Sequence, residues 1–142
     1  MNIPDSVTDG IGISTFSYCY ALQSVNLPEG ITKINNNLFY YCNSLKSVNI
    51  PSSVTSIGDN AFYNCNSLPY IKIPDSVTSI GSSVFANVNY TTVDFSDCTQ
   101  VPELSSTNSF KWNHIILVPS SLYDEWITAT NWSALASQII AV

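Results

Sequence analysis

Apolar positions recur along most of this chain with a period of 23 residues, and within each period they alternate with polar ones. Prolines mark the repeat at Pro4, Pro28, Pro51 and Pro74. Two central units align without a gap: PEGITKINNNLFYYCNSLKSVNI (Pro28 to Ile50) and PSSVTSIGDNAFYNCNSLPYIKI (Pro51 to Ile73). They share the pattern P-x-x-V/I-T-x-I-x-x-x-x-F-x-x-C-x-S-L-x-x-V/I-x-I. A first unit fits with one extra residue near Gly10. A fourth fits as far as Val88 and then loses one residue, so that Val93 and Phe95 resume the strand positions.

Units this short cannot bury their own apolar faces, so neighbours must stack and share one core, as in a solenoid. The segment KSVNIP has strand periodicity. It places Leu45, Val48 and Ile50 inward in one coil, and Leu68, Ile71 and Ile73 in the next. Proline closes each strand by removing a ladder donor. A second short extended piece follows, with Val54 and Ile57 inward. Gly58 or Gly81 then leads into a short helical or 3-10 segment that buries Ala61, Phe62 and Cys65. With strands about 4.8 Å apart, four to five coils make a rod about 20 to 25 Å long.

Residues 1–95 therefore read as repeats, and residues 96–142 as an irregular last coil followed by a helical cap. HIILVP is one more strand, with Ile116 and Val118 inward. SSLYDEWITATNWSALASQIIAV reads as helix. Ser120 or Ser121 caps its start, Ser121 and Asp124 approximate a capping box, and Asn131 and Ser133 offer a second start after a break at Thr130. Leu122, Trp126, Trp132, Leu135, Ile139 and Ile140 are expected to lie over the open end of the core, with Trp112 in the same region. At the other end the chain opens on a strand tail, so the first coil presents an edge at Ile3. The expectation is that preceding residues complete the array, or that two chains self-associate end to end through that uncapped coil.

The motif V-T-x-I-G-x-x-x-F-x-x-C-x-S-L-x-x-V-x-I-P resembles the BspA-like class of bacterial leucine-rich repeats, over roughly Ile3 to Phe95. The resemblance implies a right-handed leucine-rich-repeat coil of short parallel strands. It also implies an interaction or adhesion role at a bacterial cell surface or after secretion. The position of the usual asparagine ladder holds Gly30, Ser53 and Ser76, which points to a flatter coil. The tail V-P-x-S-L-Y-D-E-W-x-x-A-T-N-W is similar to terminal segments of such repeat proteins in gut bacteria and their phages. That similarity keeps a structural spacer or phage-associated structural role open as the alternative.

Cysteine is the residue whose chemistry most needs deciding. Cys19, Cys42 and Cys65 occupy one position of three successive units, and Val88 takes it in the fourth. A slot that accepts valine is an apolar slot, where a free thiol packs as a small hydrophobe. The single histidine, His114, lies far along the chain, leaving the thiols without an activating base. No C-x-x-C pair offers zinc spacing. Three equivalent thiols cannot all pair as disulfides. They read as a reduced core ladder, with Cys98 a separate structural residue.

Composition narrows the partners. Apolar residues make up 45% of the chain and charged residues 10%, which is too apolar for disorder and leaves Ser, Thr, Asn and Tyr to form the surface. The net charge of −6, with four lysines and no arginine, does not suit nucleic acid or an anionic membrane. No apolar run is long enough to span a bilayer, and MNIPDSVTDG has neither the basic start nor the apolar centre of a signal peptide. Carboxylates do not recur in acid–base pairs, and no phosphate loop or nucleophile elbow is present. We therefore expect no enzyme, no cofactor and no metal. The triplets at Asn89 and Asn131 match the glycosylation signal by coincidence.

A protein or glycan partner remains, with two candidate surfaces. Outward strand positions pair Ser24 with Asn26, Ser47 with Asn49, Tyr70 with Lys72, and Thr92 with Asp94, drifting from small amides to an aromatic–cation pair to a carboxylate. Among these, Asn26, Asn49, Tyr70, Lys72, Thr92 and Asp94 form the candidate face. Tyr18, Tyr40, Tyr41 and Tyr63, with Tyr20 beside them, form a tyrosine edge around the Phe and Cys positions. Tyrosine recognises partners at low entropy cost.

Overall fold

The computed structural model describes residues 1–7, 10–110 and 113–142; Trp112 lies outside them. In chain order the strands are β1 (Ser24–Asn26), β2 (Lys33–Ile34), β3 (Ser47–Asn49), β4 (Ser56–Ile57), β5 (Tyr70–Lys72), β6 (Ser79–Ile80), β7 (Thr92–Asp94), β8 (Glu103–Leu104), β9 (Ile115–Val118) and β10 (Ile139–Ala141). All their ladders are parallel. One sheet runs β2-β4-β6-β8, another β5-β7-β9-β10, and β1 pairs with β3. The register repeats the sequence period: Val25 opposes Val48, Ile34 opposes Ile57, and Ile57 opposes Ile80. Asn2 bridges Asn26, which adds the first residues to β1, and the Ile3 N–H donates to the Asn26 carbonyl.

The inward positions expected from alternation form the core. Leu45, Ile50, Val54, Ile57, Leu68, Ile71 and Ile73 are all buried. One aromatic ladder runs through it: Phe16, Phe39, Phe62 and Phe85 stack with centroids 5.6, 5.4 and 5.5 Å apart, and Phe110 continues the row at 5.5 Å. Serines at the ladder position tie coil to coil. Ser53 Oγ donates to the Ile31 carbonyl at 2.7 Å, and Ser76 Oγ to that of Val54 at 2.6 Å.

The segment around Ala61, Phe62 and Cys65 is not the expected helix or 3-10 turn. It is a run of turns punctuated by left-handed residues: Asn37 and Tyr41, then Asn60 and Asn64, then Ser83 and Asn87, each pair four residues apart. A left-handed residue interrupts any helical run, and Asn tolerates that conformation better than most residues. Alternate N–H groups then reach the next coil instead of their own. Asn60, Phe62 and Asn64 donate to the carbonyls of Ser82, Val84 and Ala86, while Ala61, Tyr63 and Cys65 close local turns. Among the described residues a 3-10 helix occupies this side only in the fifth coil, at Thr107–Ser109. Gly58 and Gly81 sit where coils nearly touch: a Cβ on Gly58 would fall 2.8 Å from the Asn36 nitrogen.

The C-terminal segment, expected as helix with a second start after Thr130, is α-helical only before that break. It comprises a 3-10 turn (Ser120–Leu122), the helix α1 (Tyr123–Thr128), a second 3-10 stretch (Ser133–Gln138) and β10. Neither Ser121 nor Asp124 caps α1, whose N-cap position is Leu122 with no side-chain bond. Ser120 instead ties down the chain end, its Oγ and N–H both donating to the Val142 carbonyl. Asn131 is a left-handed joint rather than a cap, and its Nδ2 donates to the Leu104 carbonyl at 2.6 Å. Trp126 and Trp132 are buried, 4.5 Å apart, and both contact Phe95. Ile140 does not join them. Strand alternation in β10 turns Ile139 inward and leaves Ile140 48% exposed.

Candidate functional site

Strands β5 and β7 build the candidate face by register, with Tyr70 opposite Thr92 and Lys72 opposite Asp94. The Tyr70 hydroxyl donates to Asp94 Oδ2 at 2.5 Å, and the Ser96 N–H donates to Asp94 Oδ1 at 2.8 Å. Lys72 Nζ lies 2.6 Å from Asp97 Oδ2, with both side chains largely in water. The expectation that Asp94 points to solvent is corrected. It is only 7% exposed and Thr92 is half-buried, because the bond from Tyr70 and the turn at Ser96 cover the carboxylate. Asp94 is thus the anchor of the cluster, and Tyr70, Lys72 and Asp97 are its exposed members.

The electrostatics agree with that division. Burial pushes the Asp94 carboxyl up, but the bonds from Tyr70 and Ser96 and the nearby Lys72 charge outweigh it and hold the group below its ordinary value. The bond to Asp94 raises the Tyr70 phenol, and the bond to Asp97 raises the Lys72 ammonium.

Asn26 and Asn49 lie on the same side and are exposed. The Asn26 Nδ2 donates to Asn2 Oδ1 at 2.7 Å. Between them and the cluster runs a groove of about 530 Å³, lined by Asn26, Val48, Asn49, Tyr70, Lys72 and Asp97 among others. Its origin is legible in the aligned units. Lys46 donates its N–H to the Gln23 carbonyl, whereas the corresponding residue one coil on is Pro69, which has no N–H to give. Strands β3 and β5 are neighbours in space but not hydrogen-bonded partners. Val48 is consequently only half-buried, while Val25, Ile71 and Val93 at the same position are buried. Two features of the site escaped the expectation built from single strands: the pairing of Asp97 with Lys72, and the gap at Pro69. The second was signalled by the Lys46-to-Pro69 difference.

The tyrosine edge also assembles. Tyr18 contacts Tyr20, Tyr40 and Tyr41, and Tyr63 stacks on Tyr40 at 5.0 Å and approaches Tyr41 at 5.7 Å. Tyr18 and Tyr20 are exposed, and the other three half-buried. Partial desolvation, then the neighbouring phenols of Tyr41, Tyr18 and Tyr63, raise the Tyr40 hydroxyl. Tyr18 and Tyr41 themselves hold left-handed backbone.

The cysteines fall where packing predicts. All four are free; Cys42, Cys65 and Cys98 are buried and Cys19 half-buried. Cys42 and Cys65 donate S–H to the carbonyls of Phe16 and Phe39, at 3.0 and 3.2 Å. Burial pushes the Cys42 and Cys98 thiols up to about 11, and Cys65 higher still. Val88 fills the equivalent slot, also buried. Among the described residues no group of three His, Cys, Asp or Glu side chains could hold a metal ion, and no helix is long and apolar enough to cross a membrane.

Comparison with known proteins matches residues 1–115 to the BspA-type leucine-rich repeat region, in six copies. No curated protein matches the chain. Among solved structures, a T. pallidum leucine-rich repeat protein is 25% identical with a TM-score of 0.71, over 84% of this chain and 58% of that one. A leucine-rich cell surface protein from Faecalibacterium prausnitzii A2-165 is 36% identical with a TM-score of 0.54, over 63% of this chain and 23% of that one. A leucine-rich repeat protein from Bacteroides ovatus ATCC 8483, at 24% identity and a TM-score of 0.57 over 78% of this chain, shares the fold. The chain spans 58% of the T. pallidum protein, 23% of the F. prausnitzii protein and 25% of the B. ovatus protein.

Proposed function

The chain belongs to the BspA-type leucine-rich repeat family, and on that footing we propose that it is a non-enzymatic interaction module. It holds a partner protein or glycan against the β5–β7 face, as part of a bacterial surface or secreted protein. The coil is taken as right-handed, with the segment after Val118 closing the end of its core. The cell-surface description of the F. prausnitzii protein supports the location.

One observation carries this reading: Tyr70 is an exposed aromatic fixed in place by a buried carboxylate, on the rim of a groove. An aromatic side chain already immobilised loses little entropy on binding, the economy that makes tyrosine an anchor at interfaces. Beside it the Lys72–Asp97 pair stays in water, where such a pair contributes little to stability and is free to be re-partnered.

The test is capture of partners from mucus, matrix proteins and bacterial surface extract by the native chain and by a Tyr70→Ala, Lys72→Ala variant. Asp94 is left in place because its loss would disturb the turn at Ser96. A partner held by the native chain and lost by the folded variant supports the face. A partner held equally by both removes it, and no partner at all returns the chain to the spacer role.

A further inference from the structure

The tyrosine stack runs into a second groove, which shares no lining residue with the groove at the β5–β7 face. Tyr63, which stacks on Tyr40, also lines a cleft of about 590 Å³. Its walls are the turn of the fourth coil, the 3-10 helix Thr107–Ser109 and the C-terminal stretch Ser133–Gln138. This volume lies within the range of clefts that hold small organic ligands, about 300–1,000 Å³.

The lining has an unusual chemistry for this chain. Among the described residues no charged side chain contributes to it, although the β5–β7 face gathers Lys72, Asp94 and Asp97. The polar members are amides and hydroxyls, notably Asn87, Asn108, Ser137 and Gln138, which together offer both donors and acceptors. Apolar surface comes from Leu135 and the Tyr63 ring. The Asn87 Nδ2 donates to Tyr63 Oη at 2.6 Å, which fixes the ring at the mouth of the cleft. Gln138 Oε1, by contrast, is buried without a hydrogen-bond partner among the described residues.

The geometry points to a neutral-oligosaccharide site in this cleft, one that stands whether or not the β5–β7 face binds anything. A sugar presents hydroxyls that donate and accept, which suits the amides, and apolar C–H faces that suit a tyrosine ring. Among the described residues no charge lines the cleft to select uronate or sialate over a neutral sugar. An extended peptide is a poorer match, because the walls are turns and 3-10 segments and offer no strand edge to augment.

The experiment is amide chemical-shift mapping on the full, isotope-labelled chain. Probes are cellotetraose, maltotetraose, mannotetraose and diacetylchitobiose at millimolar concentration, with a hyaluronan tetrasaccharide and a capped tetrapeptide as comparators. At least one neutral sugar should move signals of residues 83–87, 107–110 and 133–138 while leaving those of β3 and β5 in place. Gln138→Ala and Asn108→Ala should each weaken that binding about tenfold with the rest of the spectrum unchanged, and Ser137→Trp, which fills the cleft, should abolish it. The proposal is overturned if no neutral sugar moves those signals, if the shifts map to the β5–β7 face, if both alanine variants bind as the native chain does, or if a comparator binds there in preference.

Discussion

Tyr70 and Asp94, on adjacent parallel strands, are joined by a hydrogen bond of 2.5 Å that hides the carboxylate and leaves the ring half in water. One bond therefore makes both the stability and the shape of the candidate face. Tyr70→Phe should cost about 1 kcal/mol, the worth of a bond to a charged acceptor after discounting for the exposed donor. The pH dependence identifies the bond. Asp94 titrates below its ordinary value of 3.8, so its contribution is complete above that pH and is lost as pH falls through the lower folded value. Urea midpoints measured from neutral pH downward should fall less steeply in acid for Tyr70→Phe than for the native chain. Parallel curves would show that the bond contributes nothing.

The buried cysteines make the opposite alkaline prediction. Burial raises Cys42 and Cys98 from 9.0 to about 11, so the stability of their neutral thiols is full below pH 9 and lost as pH rises through 11. A thiol reagent at neutral pH should label the half-buried Cys19 quickly, and the three buried thiols only on unfolding. Cys65→Val, which installs the side chain already present at Val88, should change stability by less than about 1.5 kcal/mol. Prompt labelling of Cys65 in the native state would contradict its place in the core.

Gly58 and Gly12 occupy equivalent positions in different coils and should respond differently to alanine. At Gly58 the new Cβ would meet Asn36 backbone at 2.8 Å, whereas at Gly12 its nearest neighbour is the Thr15 hydroxyl at 3.3 Å. Gly58→Ala should cost about 1–3 kcal/mol, the usual penalty of overpacking. Gly12→Ala should be near neutral, within about 0.5 kcal/mol, as for an exposed surface change. Thermal or urea unfolding of the two variants decides the matter, and equal losses would refute the close approach of the coils.

Pro69→Lys restores the residue type of the preceding unit and supplies the missing N–H. The variant should form a bond from residue 69 to the Lys46 carbonyl, matching that of Lys46 to Gln23. Hydrogen exchange of amides in β3 and β5 should slow, and Val48 should become better protected. If the groove on this face receives the partner, binding should weaken as it closes. Unchanged exchange would mean that something other than Pro69 holds β3 and β5 apart.

Much of the fold was readable because a solenoid is nearly one-dimensional. Each coil contacts its neighbours, so one 23-residue pattern names the inward Val, Ile, Leu and Phe of every coil, and the Cys-to-Val exchange alone marks the thiol slot as packing. The turn side was less legible, since left-handed backbone at Asn60 and Asn64 leaves the apolar spacing unchanged while replacing helix with inter-coil bonds. At the chain's end, alternation in β10 overrode the expected helix and turned Ile140 outward.

The sequence by itself determined the repeat, the core and the outward placement of Tyr70 and Lys72, because strand alternation depends only on neighbours along the chain. Only the tertiary structure decided that Asp94 is an anchor and not a contact residue, that Asp97 pairs with Lys72, and that Tyr63, Asn108 and Gln138 share a cleft. These are distances between residues far apart in the chain, set by how closely each coil settles on the next, and no periodicity within a coil carries that information.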